Sequence, residues 1–476
     1  MSAESLVLGA TRSTFALYCR PTCATMAGPG STPGLRGTIM ASRFIASVAS
    51  FSAMTIAGAA AVAQSPPRQV VKPPVSQAWI DVATFSGFGM GAMGPGGGQG
   101  QGMMGMTLGA LMGGHAAQAE FGNTVSGVAG RWMDVTLYTS RNPGLQTATQ
   151  SVPPATGLAP TLKLLTPERP KPAPPGDDTP AEFNYEPPKG KLLLYWGCSE
   201  TVRPGQPKVV DLQTATMAEF AKFFESRRST TRGAHATAGR PVWPNREDKR
   251  VFPAGASIAG QHAYQGDGVP ESFKFSIPAA QDIMPAVQLR QSEQPTFIRV
   301  DWNAIPTARA YFLGGMGARE GEQNTIVIWT SSELPDSGFG LFDYQTNSAV
   351  DGWLKDKVLL PPTTTTCSIP KEAAGQGMLR AIAYGSELNM AYPPRPTDPA
   401  IAWEPEWNVK IRVKSMTTTM FGMPEGAMSG VDGDASGEMT DAPPPAEGEQ
   451  APPAEPKKKK KWNPLEALKD VVGGGG

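Results

Sequence analysis

Glycine and proline place the strongest constraint on what this chain can form. Its 476 residues include 54 Gly and 47 Pro. Gly weakens helices and strands from within, and Pro has no backbone N–H to donate. Such frequent interruption argues against long helices and favours short strands joined by turns and linkers. We therefore predict a mainly β chain of two β-sandwich-like domains, with disordered Gly/Met-rich and Pro-rich segments.

The length of the chain limits the number of domains, and its charge bears on nucleic-acid binding. At about 150 residues per domain, the chain has room for two or three domains. Lys plus Arg equal Asp plus Glu at 42 each. Because nucleic-acid binding needs a strongly basic surface, this balance favours no nucleic-acid partner.

Residues 40–63 have the layout of a secretory signal peptide. Arg43 precedes an apolar run over 44–62 that ends on the small residues Ala61, Val62 and Ala63. This pattern predicts cleavage before Gln64. The run has neither the length nor the flanks of a membrane-spanning helix, so the mature chain is predicted to have no transmembrane helix. Its expected location is periplasmic or secreted, including association with the cell envelope.

Residues 1–39 precede this signal and are predicted to be a mis-assigned N-terminal extension. Met40 or Met26 would be a better start. The alternative is an organellar transit peptide, because three Arg in this extension face one acid, Glu4, among many Ser and Thr.

Residues 76–227 are predicted to form the first β domain. Its expected strands alternate apolar and polar side chains or run apolar between turns; they cover residues 79–85, 131–138, 191–198 and 208–212. A capping box of Thr216 and Glu219 predicts a short helix over 217–227. Residues 86–115, mostly Gly and Met, cannot build a packed core, so they are predicted to be a flexible insertion.

A second β domain is predicted over 271–395, after a polar, Gly-rich linker loop at 228–270. Its expected strands recur at short spacing, typical of a seven-stranded sandwich; they cover residues 287–291, 297–302, 310–314, 325–330, 378–385 and 388–392. In the segment 396–422, three aliphatic residues alternate with Lys410, Arg412 and Lys414. This alternation predicts a strand that returns to the first sheet.

Short motifs within residues 286–394 resemble the fibronectin type III family. Trp302, Pro306 and Tyr311 are similar to that family's strand B Trp, the turn after it and the strand C aromatic, and residues 379–385 resemble strand F. The resemblance implies a β-sandwich that serves as a scaffold and seldom catalyses. One departure is the position of the usual strand F Tyr, which is Gly377 or Met378 here. The whole chain resembles exported proteins of Gram-negative bacteria that have no assigned activity.

The C-terminal tail falls into two predicted parts. Residues 423–461 are rich in Pro, Glu, Gly and Ala and then carry five Lys, a composition that favours disorder. Residues 462–476 contain an Asn463 cap, Pro464 at the first helical position and a terminal Gly stop, which predict a short helix. Beside the Lys run, this helix would attach to an envelope protein or to an anionic membrane surface. The alternative is a frayed, solubilising tail.

Two cysteines remain after the leader is removed, Cys198 and Cys367. An exported chain with two cysteines usually pairs them, but sequence does not show whether their Cα atoms approach within about 7 Å. A disulfide and two buried free thiols are therefore both open.

The Gly/Met-rich insertion also carries soft metal ligands, namely Met90, Met93, Met103, Met104, Met106, Met112 and His115. Thioethers with an imidazole select Cu(I), so a periplasmic copper-binding protein is one hypothesis. The other is a solvated, low-complexity linker, because the Met positions follow no repeated spacing.

Catalytic residues are not predicted. The three histidines, His115, His235 and His262, lie far apart in sequence, and the carboxylates form no recognisable catalytic pair. We therefore predict a non-catalytic binding or structural protein of the cell envelope without a cofactor. The alternatives are the copper-binding protein and a hydrolase of envelope polymers.

Overall fold

The computed structural model describes residues 69–87, 120–168, 190–229 and 232–422. Strands dominate these ranges, which confirms the prediction of a mainly β chain. The described strands, in chain order, are β1 Ser76–Gly87, β2 Gly130–Thr139, β3 Thr147–Ser151, β4 Thr161–Leu165, β5 Lys191–Trp196, β6 Lys208–Asp211, β7 Val242–Trp243, β8 Gly260–Gly266, β9 Lys274–Ile277, β10 Leu289–Glu293, β11 Phe297–Trp302, β12 Ala310–Arg319, β13 Glu322–Thr330, β14 Thr366–Pro370, β15 Gln376–Tyr384, β16 Leu388–Tyr392 and β17 Trp407–Met420. The described ranges contain two α-helices, α1 Met217–Phe223 and α2 Asn347–Lys355.

Most strands belong to one mixed sheet of 14 strands, ordered β6-β5-β13-β12-β15-β17-β1-β2-β7-β4-β3-β8-β9 with β16 paired to β17. A second sheet has the order β10-β11-β14. Strands from both predicted β domains thus share one hydrogen-bonded sheet. The junction is β17, which runs parallel to β1 from Ser76↔Trp407 to Gly87↔Thr418 and antiparallel to β15. The strand expected in the segment 396–422 therefore lies at the centre of the sheet.

The small sheet packs against the middle of the large one. Trp302 of β11 contacts Tyr311 of β12, with ring centroids 5.6 Å apart, and the Tyr311 hydroxyl accepts a hydrogen bond from Ile305 N at 2.8 Å. Buried residues of β11 and β14 join those of β12, β15 and β17 in the main apolar core. That core continues under β1 to β4, β8 and β9, so a single apolar layer runs beneath both halves of the described chain.

The opposite face of the large sheet is covered by the two helices and the segment between β13 and α2. The aromatic face of α1, with Phe223, packs on β5 and β13, while Val350 of α2 packs beside Phe312 and Ile382. The capping box predicted at Thr216 is present, and α1 ends at Phe223, four residues before the predicted end.

Residues 228–270 differ from the linker loop expected there. They contribute β7 and β8 to the large sheet and bury Trp243, His262 and Tyr264. In β8 the buried residues His262 and Tyr264 alternate with less buried ones, but Gly and Gln flank them. The apolar signal in the sequence is therefore too weak to indicate a strand.

Cys198 and Cys367 are joined as a disulfide, with Cα atoms 5.2 Å apart. Cys198 follows β5 of the large sheet, and Cys367 lies in β14 of the small sheet. The bond therefore connects the two sheets directly, 169 positions apart in sequence. Next to it, Ser199 N donates to Ser368 O at 2.8 Å.

Candidate functional site

Three cationic side chains lie on one face of β17, and two of them, Arg412 and Lys414, are buried. Lys410, Arg412 and Lys414 alternate with the apolar core residues of this strand, so all three point away from the main core. We call these three residues the cation ladder. Each one meets a carboxylate supplied by another segment: Glu387 at 3.2 Å, Asp81 at 2.6 Å and Asp343 at 3.1 Å, in that order.

The central pair, Arg412 and Asp81, is the most enclosed. The two residues are register partners on neighbouring strands, and the guanidinium donates two hydrogen bonds of 2.6 Å to the two carboxylate oxygens. Their side chains are only 8% and 4% exposed. Burial acts to lower the pKa of Arg412, but the Asp81 carboxylate outweighs it and raises that pKa above its ordinary value. Arg412 is therefore charged at every physiological pH.

Backbone from the segment 232–240 closes over this pair. Ala234 N donates to Asp81 Oδ2 at 2.8 Å. A side chain on Gly233 would run into the Arg412 guanidinium and the Asp81 carboxylate. Glycine is thus required at position 233 for the backbone to approach the buried charges this closely.

In the pair of Lys414 and Asp343, one side chain is buried and the other is half-exposed. The Lys414 side chain is 2% exposed, whereas that of Asp343 is 46% exposed. Burial lowers the pKa of Lys414 despite the attraction of Asp343. For Asp343, burial acts to raise the pKa, but Lys414 and the Tyr344 N–H lower it. The carboxylate is therefore ionised and faces solvent, while the ammonium group is buried beneath it.

Tyr344 contacts both buried cations. Its ring lies 4.3 Å from the Arg412 guanidinium carbon and 4.2 Å from Lys414 Nζ, both distances to the ring centroid. A ring face attracts cations, so Tyr344 stabilises two like charges that would otherwise repel one another. Burial raises the pKa of the Tyr344 hydroxyl well above its ordinary value, so the phenol is neutral.

Asp134 on β2 is the cross-strand neighbour of Asp81. It accepts hydrogen bonds from Gly122 N at 3.0 Å, Thr124 N at 2.8 Å and Thr124 Oγ1 at 2.5 Å. Burial raises the pKa of Asp134 even though these three bonds favour its charged form. The carboxylate holds the turn at 122–124 against the sheet.

The arrangement is therefore suited to holding loops in place. Four segments reach the same face of the sheet through charged or charge-assisted hydrogen bonds: residues 122–124, 233–234, 343–344 and 387. Charge-assisted bonds of this kind are shorter and stronger than neutral ones. Charged residues on this face of β1, β2 and β17 thus position the loops that form this side of the molecule.

The cation ladder is visible in the sequence as an alternating pattern, but the environment of its side chains is not. Lys410, Arg412 and Lys414 alternate visibly with aliphatic residues, a pattern that normally places cations in water. Their partners come from positions 23 to 331 residues away, and no local pattern indicates those pairings. Burial of this face follows from the loop coverage, which depends on tertiary structure.

Most of the side chains that the sequence analysis named as candidate ligands lie outside the described residues, and His235 and His262 lie within them. The Met residues 90, 93, 103, 104, 106 and 112, His115, the signal segment 40–63 and the tail 423–476 all lie outside the described residues. His262 is buried, accepts from Gln150 Nε2 at 3.2 Å through Nδ1 and donates to Ile258 O at 2.8 Å through Nε2. His235 lies in the exposed segment above Asp81. The structure therefore places these two histidines in separate environments.

A shallow groove lies on the same face of the sheet, beyond the ladder. Its lining includes Met316, Ile328, Phe342, Met378 and Arg380. The Arg380 guanidinium lies 4.7 Å from the Phe342 ring centroid and 3.3 Å from Met416 Sδ. Burial lowers the pKa of Arg380 to about 10, so this side chain remains charged near neutral pH.

The described residues contain neither a clustered metal site nor a membrane-spanning helix. In residues 69–87, 120–168, 190–229 and 232–422, no group of three or more His, Cys, Asp or Glu side chains is arranged to hold a metal ion. No helix in the same ranges has the length and hydropathy needed to cross a membrane. Comparison with protein-family models, with curated proteins and with solved structures finds no match to this chain.

Proposed function

We propose that this chain is an exported, non-catalytic binding or structural protein of the cell envelope. The observation that carries the proposal is the disulfide between Cys198 and Cys367. Disulfides persist in oxidising compartments such as the periplasm and the cell exterior, and they are rare in the cytosol. The bond therefore agrees with the export signal predicted over residues 40–63.

A fibronectin type III-like scaffold is the second element of the proposal. Seven strands support it: β10, β11 and β14 form one sheet, and β13, β12, β15 and β17 are consecutive neighbours in the other. A buried core lies between them, as in sandwiches of this class. Trp302 and Tyr311, which carry the sequence resemblance, are both in that core. Such domains present surfaces and loops to partners more often than they catalyse.

The C-terminal tail is the proposed attachment. It begins after Gly422, which follows β17 and hydrogen-bonds to Gln291 at 3.3 Å on the small sheet. Attachment would use the five Lys at 457–461 together with the helix expected over 462–476. Near an anionic surface, each Lys contributes about 1 kcal/mol of attraction. The predicted partner is an envelope protein or the membrane surface itself.

Fractionation of host cells tests export and attachment separately. The wild-type chain is compared with a variant in which Lys457 to Lys461 are all replaced by Gln. We expect the wild type and this variant to be found in the envelope or external fractions with the disulfide formed. Of these two proteins, only the wild type should bind to membranes at low salt. The matched control replaces five exposed cations of the folded body, Lys72, Lys222, Lys249, Lys274 and Lys355, by Gln. Cytosolic chain with two free thiols would refute export, and equal membrane binding of all three proteins would refute attachment through the tail.

A further inference from the structure

Positive charge is concentrated in residues 227–246. This stretch contains five arginines and no Asp or Glu. The five are Arg227, Arg228, Arg232, Arg240 and Arg246. We call the described part of the stretch, residues 227–229 and 232–246, the arginine segment. Any carboxylate that faces these arginines must come from another part of the chain.

The arginine segment is held across the face of the large sheet that carries the cation ladder. Ser229 N donates to Gln345 Oε1 at 2.9 Å at one end of the segment. Gly239 N donates to Thr166 Oγ1 at 2.7 Å farther along it. Between these anchors the backbone passes over the central ion pair of the ladder. The segment is therefore fixed in place on the outside of the folded body.

The arginines in the middle of the segment present their charge toward solvent. Arg232 is exposed, and Arg228 and Arg240 are partly exposed. The Arg240 guanidinium carbon lies 4.9 Å from the Tyr138 ring centroid and 5.7 Å from that of Trp79. Aromatic rings attract a guanidinium but leave its charge in place. This part of the surface therefore attracts a chain that carries several carboxylates.

One segment outside the described residues has the opposite charge. Residues 423–456 contain eight Asp and Glu and no Lys or Arg. We call them the acidic tail. By contrast, residues 88–119 contain no charged side chain, and residues 169–189 carry charges of both signs. Among these three segments, the acidic tail alone complements the arginine segment in charge.

The acidic tail is long enough to reach the arginine segment. Gly233 of that segment lies against Arg412, and Gly422, where the tail begins, is ten positions after Arg412. Ten strand residues span about 33 Å, and passing the edge of the sheet adds about 10 Å. About thirteen extended residues cover this distance. Five of the eight acidic residues, from Glu438 to Glu455, lie farther than that from Gly422.

We propose that the acidic tail docks on the arginine segment of the same molecule. Attachment to the body gives the tail an effective concentration of order millimolar, so it occupies this surface ahead of a free polyanion of similar charge. Docking shields the arginines from other polyanions, and high salt or removal of the tail exposes them. The contact needs neither export nor membrane attachment, so it stands apart from the proposed function.

A labelled peptide of residues 423–456 tests the docking on the full chain by fluorescence anisotropy. The wild type is compared with a neutral-tail variant, in which every Asp and Glu of 423–456 is replaced by Asn or Gln. At low salt the peptide should bind the neutral-tail variant, and it should bind the wild type about tenfold more weakly because the attached tail competes. In about 1 M salt, where the Debye length is about 3 Å, binding should be lost.

Further substitutions in the neutral-tail variant locate the surface. Arg228→Gln/Arg232→Gln should weaken peptide binding about fivefold, because two exposed ion pairs are lost. The matched control, Arg290→Gln/Arg299→Gln, changes two exposed arginines elsewhere on the body and should leave binding unchanged. Circular dichroism melting curves check that every variant is folded.

Three results would overturn the docking. The first is no binding of the peptide to the neutral-tail variant. The second is equal binding to this variant and to the wild type, which would show that the attached tail does not occupy the surface. The third is an equal loss in the two double-arginine variants, which would show that the peptide responds to net charge and does not recognise the arginine segment.

Discussion

The cost of removing one member of an ion pair depends on how exposed the remaining member is, and Asp81 and Lys414 give the two cases. Removing the charge of Asp81 leaves Arg412 buried without its carboxylate, because both side chains are almost fully enclosed. We expect Asp81→Asn to lower the free energy of unfolding by about 3–5 kcal/mol. Urea denaturation followed by circular dichroism measures the change.

Lys414→Met is the matched comparison. Asp343, the partner left behind, is half-exposed and can be hydrated. Met also keeps the apolar contacts of the Lys stem. The expected loss is therefore no more than about 1 kcal/mol. If Lys414→Met destabilised the protein as much as Asp81→Asn, exposure of the remaining partner would not be the deciding factor.

His262 gives a prediction about pH. Burial lowers the pKa of His262 in the folded protein, and this effect outweighs the hydrogen bond to Ile258 O, which acts to raise that pKa. Protonation therefore favours the unfolded chain, and stability falls as pH drops below the unfolded value of about 6.5. Between pH 7 and 5 the wild type should lose stability more steeply than His262→Gln, by up to about 1.4 kcal/mol per pH unit. Parallel pH profiles for the two proteins would contradict this account.

Helices and strands that depend on contacts between residues close in sequence were predicted from sequence patterns. The capping box at α1 is the clearest case, since Thr216 Oγ1 and the Glu219 backbone N–H are three residues apart and form their bond at 3.2 Å. The strand in the segment 396–422 was visible because the alternation of its aliphatic and cationic residues is regular. By contrast, α2 was missed, because Gly352 interrupts it and its start depends on the Thr346 side chain accepting from Ala349 N.

The cap itself is testable. Thr216→Ala removes the oxygen that accepts from Glu219 N, and we expect a loss of about 1 kcal/mol in the free energy of unfolding. Thr216→Ser keeps that oxygen and should retain most of the stability. Equal stability of the Ala and Ser variants in urea would show that α1 is held by packing of Phe223 alone.

The disulfide is an element that sequence left open. The sequence shows the two cysteines but not the distance between them. That distance depends on the packing of β14 against the end of β5. Closing a loop of 169 positions restricts the unfolded chain strongly. Cys198→Ala/Cys367→Ala should lose about 2–5 kcal/mol of stability relative to the oxidised wild type. Wild type with its disulfide reduced should match the variant, and a variant as stable as the oxidised protein would contradict a tie between the sheets.

At the scale of the whole molecule, the sequence predicted individual strands but not how they assemble. Expected strands in both halves were found, but their assembly into one sheet depends on the pairing of β1 with β17, more than 300 positions apart. The ion pairs of the cation ladder depend on the same assembly. Because strand pairing and core run through both halves, we expect calorimetry of the full chain to show one cooperative transition for the described body. Two separated transitions would indicate two domains that unfold independently.

We propose that this chain is exported and that it folds into a β scaffold whose two sheets are joined by a disulfide. Native mass spectrometry of the protein from the envelope of its own host, without reductant, tests it most directly. We predict a mass that begins at Gln64, lacks two hydrogens because Cys198 and Cys367 are bonded, and carries no metal. A full-length, reduced mass would contradict export and the disulfide together. A copper adduct that disappears when residues 86–115 are deleted would replace the scaffold proposal with the copper-binding alternative.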